Sequence, residues 1–100
     1  METPASLLRK IEENMPKIKS YGVLKIGLFG SCSRGEQADH SDIDILVEFQ
    51  KSKKTFDNYM DLKFFLEELL GRKVDLVIIE ALKPDLRAGI TGSVLYAQGA

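Results

Sequence analysis

Residues 28–49 read LFGSCSRGEQADHSDIDILVEF, and the organisation of the chain follows from this stretch. Two small polar clusters, Gly30-Ser31 with Arg34-Gly35 behind it and Ser41-Asp42-Ile43-Asp44, lie between two apolar runs. The first run, VLKIGLF (23–29), opens with a β-branched residue and is followed by glycine, which predicts a strand. The second, IDILVEF (43–49), predicts another. About 13 residues with two glycines join them, too few for a crossover helix, so the two strands are expected to be antiparallel. Antiparallel pairing sets the end of the first strand beside the start of the second. Gly30-Ser31 then meets Asp42 and Asp44.

The flanking elements extend this frame. Leu7, Leu8, Ile11 and Met15 recur at helical spacing, with Thr3-Pro4 as a start signal. Pro16 interrupts that helix and is placed as the first residue of a short helical piece ended by Gly22. Residues 50–55, QKSKKT, read as a solvated basic loop. Tyr59, Leu62, Phe65, Leu66 and Leu69 share one face of a helix over 56–70, with Gly71 just past its end. KVDLVII (73–79) predicts a third strand, KPDLRAGI (83–90) a short helix and SVLYA (93–97) a last short strand. A full helix separates the second and third strands, so they are expected to be parallel and to begin at the same sheet edge. Asp75 lies close to the start of the third.

Alternation along an extended chain sends Asp42 and Asp44 to one face, while Ile43, Ile45 and Val47 go to the other. By the same rule Asp75 points away from Val74, Leu76 and Ile78. Three carboxylates on one face repel each other and are costly to desolvate, unless a cation sits among them. All-oxygen ligation suits Mg²⁺ or Mn²⁺, and two such ions can clamp a phosphoryl displacement. Gly30 lets backbone approach a ligand closely, Ser31 can cap a phosphate-attracting turn, and Arg34 offers a planar donor fork. An anion-binding turn beside a divalent-metal site describes an enzyme acting on a nucleoside triphosphate.

Composition bounds the alternatives. One hundred residues make one domain with one core, here taken as 1–100. A net charge of -1 gives no sign of a nucleic-acid surface, so no direct nucleic-acid binding is expected. A lone cysteine, Cys32, fits a reducing compartment, and no apolar run approaches membrane-span length. With no signal-peptide pattern at the N-terminus, a cytoplasmic location is expected. Cys32 has no visible activating base and reads as a structural or incidental thiol, and His40 as a loop residue.

The ordered set of GS, RG, SDxD and a later strand aspartate resembles the DNA polymerase β-type nucleotidyltransferase superfamily. It is most similar to the minimal nucleotidyltransferase (MNT) branch, and the likeness covers nearly the whole chain. The resemblance implies an α/β (α+β) fold of the polymerase β palm type, a small mixed sheet with helices mainly on one face. It implies Mg²⁺ on Asp42, Asp44 and Asp75, with Asp75 helping to deprotonate the attacking hydroxyl. Gly30 and Ser31 would contact the triphosphate, with Arg34 near it. It further implies an antitoxin that transfers AMP from ATP to a tyrosine of a HEPN-domain toxin. AGITGS (88–93) departs from the pattern, with two glycines where a firm last helix would stand. The chain ends soon after its last strand, so an acceptor is expected from a partner or a second copy. The competing reading is a non-catalytic module that neutralises a partner by contact. A weaker third is a dimeric small-molecule nucleotidyltransferase.

Overall fold

The computed structural model describes residues 3–30, 42–81, 85 and 94–98. Helix α1 spans Pro4–Glu13 and α2 Met15–Lys19. Strand β1 (Val23–Leu28) precedes β2 (Ile43–Phe49), and helix α3 (Phe56–Leu70) leads to β3 (Val74–Ile78). Strand β4 is Leu95–Tyr96. Short 3₁₀ turns lie at Lys51–Lys53 and Ile79–Ala81. Among the described residues no helix is long and apolar enough to cross a membrane.

Local chemistry explains the helix limits. Thr3 caps α1 by accepting from the Ser6 amide, while the Ser6 side chain accepts from the Thr3 amide, and Pro4 stands where no intrahelical donor is needed. Helix α2 begins at Met15, so Pro16 takes its second position rather than the expected first. The difference of one residue is small, because either place lies within the first turn, where the missing N–H costs nothing. Thr55 caps α3 by accepting from the Asn58 amide at 3.1 Å, and Gly71 closes it in the left-handed conformation.

The sheet order is β3-β2-β1-β4. Strands β1 and β2 are antiparallel, β2 and β3 parallel, and β4 returns antiparallel to β1. Both expected pairings are therefore realised. The core lies between one sheet face and the helices: Ile26, Leu28, Ile43, Ile45, Val47, Val74 and Leu76 meet Leu7, Ile11, Ile18, Leu62, Leu66 and Leu70. Each such side chain contributes about 1.5–3 kcal/mol when fully buried. The helices thus cover one face, as the alternation requires, and the opposite face carries the aspartates. That opposite face is not wholly open, since Leu46 on β2 is 1% exposed. Gly27, opposite Leu46, lets β4 come close: a Cβ there would stand 2.7 Å from the Leu95 carbonyl oxygen. The expected helix over 83–90 lies outside the described residues, apart from Asp85. The last strand is shorter than the 93–97 expected.

Candidate active site

Three strand ends meet because backbone hydrogen bonds lace them. The Phe29 amide donates to the Asp44 carbonyl at 3.1 Å, tying the end of β1 to the start of β2. The Ile43 amide donates to the Lys73 carbonyl at 2.9 Å, tying the start of β2 to the start of β3. In the parallel register Asp44 stands directly beside Asp75. Asp42 precedes β2 by one residue, and alternation returns it to the face of Asp44.

Gly30 follows β1 with φ +64°, a conformation that a side chain makes costly. A Cβ at this position would lie 2.6 Å from Asp44 Oδ2 and 3.4 Å from its Cγ. The turn therefore presses its backbone against the Asp44 carboxylate. Only glycine allows this without displacement, which accounts for its place after the apolar run.

Burial pushes the Asp44 carboxyl above the ordinary carboxylate range, and the charges of Asp75 and then Asp42 push it further. Asp44 is half-buried, whereas Asp42 and Asp75 are exposed. The three carboxylates therefore share one electrostatic neighbourhood, and its central member resists ionisation. Among the described residues, no group of three or more His, Cys, Asp or Glu side chains is arranged to hold a metal ion by itself. This donor set fits Mg²⁺ in its usual nucleotide-bound form, in which one or two carboxylates share the ion with phosphate oxygens and water. Ser31 and Arg34 lie outside the described residues, as do Cys32, Asp39 and His40.

Two residues with a bearing on the site carry no motif. Tyr59, read from the sequence as a core-stripe residue, is half-buried and donates its hydroxyl to the Leu76 carbonyl at 2.6 Å. Glu67 Oε2 accepts from the Val74 amide and from Lys63 Nζ, both at 3.0 Å. These bonds hold its carboxyl below the ordinary range, the Val74 amide contributing most. A short polar spacing within one helix gives no hint of a bond to a strand beyond it. The sequence signal for either role is absent.

A model of the family described as "Nucleotidyltransferase domain" matches residues 8–96. The protein adenylyltransferase MntA of Thermococcus cleftensis is 41% identical over 76 residues, covering 76% of this chain and 76% of that protein. A solved structure provisionally described as a minimal nucleotidyltransferase superposes with a TM-score of 0.83 at 32% identity, covering 94% of this chain and 95% of the other. Another, described as a toxin-antitoxin with AMP-PNP, gives 0.69 at 27% identity, covering 89% of this chain and 73% of that one. The likeness in fold thus extends over nearly the whole of this chain. The chain belongs to the nucleotidyltransferase domain family and is a nucleotidyltransferase.

Proposed function

We propose that this chain moves AMP from ATP onto a hydroxyl of a partner protein, a tyrosine of a HEPN-type toxin, and so acts as its antitoxin. The observation that carries the reading is the register pairing of Asp44 with Asp75, with the Gly30 backbone packed on Asp44. The kinship with a named protein adenylyltransferase and with a toxin-antitoxin structure described with AMP-PNP supports the choice of donor and partner.

Asp42, Asp44 and Asp75 are the residues that would hold Mg²⁺. When bound, the ion would neutralise triphosphate charge and polarise the α-phosphoryl group. The chain's own groups divide the remaining work. Gly30 and Ser31 present backbone and hydroxyl donors to the phosphates, and Arg34 adds a fixed cation beside them. Asp44, half-buried and crowded by like charge, is the group that gains most from an arriving cation. Asp75 stands on the adjacent strand and accepts the proton of the attacking hydroxyl. The hydroxyl oxygen then bonds to the α-phosphorus, the bond from that phosphorus to the bridging oxygen breaks, and pyrophosphate leaves.

The test is incubation of the chain with labelled ATP, Mg²⁺ and the HEPN-type protein encoded beside it, with intact mass read on both. A gain of AMP units on the partner, absent in Asp42→Asn/Asp44→Asn, is the expected result. A stable complex with both variants and no mass change overturns the transferase reading in favour of neutralisation by contact.

A further inference from the structure

Among the described residues, strand β3 lies at the edge of the sheet, with only β2 beside it. The Lys73 carbonyl turns toward β2, where it accepts from Ile43. Alternation then turns the amide and carbonyl groups of residues 74 and 76 outward, to the open edge. Exposed edge groups of this kind are left to water or recruit another strand. Here helix α3 occupies them: Glu67 takes the Val74 amide at 3.0 Å, and the Tyr59 hydroxyl takes the Leu76 carbonyl at 2.6 Å. Lys63 holds the same Glu67 oxygen at 3.0 Å and so fixes the carboxylate that fixes the strand. Asp75 is the residue between the two anchored groups.

We infer that Tyr59 and Glu67 are positioning residues that bracket Asp75 and aim its carboxylate across the sheet. The inference rests on the transfer reading for its effect on rate, but not for its effect on the strand. Neither side chain faces the carboxylate. Val74 and Leu76 point into the core with α3, and Asp75 points to the other face. With the backbone pinned on both sides, the Cα–Cβ direction of Asp75 has little freedom, although it stands on an edge strand and is exposed. Releasing either pin loosens the strand at one point and leaves the Gly30–Asp44 contact untouched. A shift near 1 Å in a reacting group lowers rates by up to about 100-fold.

The experiment compares Tyr59→Phe, Glu67→Ala and Glu67→Gln with the wild type, in the presence of the partner protein and ATP. The first two are expected to lower kcat about ten-fold or more, with KM for ATP unchanged within about two-fold. Glu67→Gln keeps an oxygen that can accept from Val74 and is expected to restore most of the rate. In an Asp75→Asn background, Tyr59→Phe should lower the residual rate no further. Hydrogen exchange is read in parallel. Amides of residues 75 and 77, which face β2, are expected to exchange at least about ten-fold faster in Tyr59→Phe, while those of α1 do not change. A full additional loss in the Asp75→Asn background, or exchange that rises everywhere or nowhere, overturns the inference. If the wild type transfers nothing, the transfer reading falls and the exchange result alone decides whether the bracket holds β3.

Discussion

Substitution of Gly30 by alanine separates the cost of a turn from the cost of a displaced carboxylate. At φ +64° an alanine pays about 1 kcal/mol for the left-handed conformation. Its methyl carbon would also start 2.6 Å from Asp44 Oδ2, and ordinary contact begins at 3.4 Å, so the oxygen must retreat by about 0.8 Å. Turning Asp44 off its preferred rotamer to give that room costs about 0.5–1.5 kcal/mol more. The expected destabilisation is about 2 kcal/mol, or a fall in Tm on the order of 10 °C for a chain of this length. A displacement near 1 Å in a group that holds the reacting phosphate predicts a loss of about 100-fold in AMP transfer. Thermal melts and the labelled-ATP assay read the two effects separately. The decisive comparison is Gly30→Ala in an Asp44→Ala background, where the contact is gone and only the backbone penalty of about 1 kcal/mol remains. An equal cost in both backgrounds, or wild-type transfer by Gly30→Ala, refutes the claim that the turn is packed on Asp44.

Other outcomes follow from the same geometry. Asp44 binds protons more tightly in the folded state than in the unfolded chain, so its contribution to stability falls as pH rises from the unfolded carboxylate value through the raised folded one. Asp44→Asn is therefore expected to raise the metal-free Tm at pH 7 while abolishing transfer, and Mg²⁺ with ATP should stabilise the wild type but not the variant in a thermal shift assay. Glu67 shifts the other way. Its stabilisation is present above about pH 4.5, the unfolded value, and fades as pH falls through the lowered folded one, a loss that a melt series from pH 6 to 3 should show and that Glu67→Gln should lack. Leu62→Ala removes a side chain with no exposed surface from beneath the sheet and is expected to cost about 2–5 kcal/mol in urea unfolding.

Much of the site was legible because its residues sit where two strong local signals cross. Along 42–49 the core residues Ile43, Ile45, Val47 and Phe49 fall at every second position, and that period of two allows only one face for Asp42 and Asp44. Connection lengths did the rest: a short link forced β1 against β2, and a helix-long link forced β3 parallel to β2. Tyr59 and Glu67 were not legible as partners of β3. On a helical wheel Tyr59 is another core-stripe residue, and Glu67 is one more charge four residues from a lysine. Their bonds run to strand backbone 17 and 7 residues away, and no spacing within α3 encodes that. Exposed Phe56 and Phe64 on the same helix likewise fall outside the stripe that the sequence marks as core.

The sequence by itself determined the two main helices, the start of α1 and the end of α3, the pairing of β2 with β1 and with β3, and the face that carries the acids, because each depends on local residue signals, periodicity or chain length between neighbours. Only the tertiary structure decided how closely Gly30 meets Asp44, which carboxylate is buried enough to resist ionisation, and what holds the open edge beside Asp75. Those are distances between residues far apart in the chain. They are set by how the sheet and helix pack together, which no local pattern records.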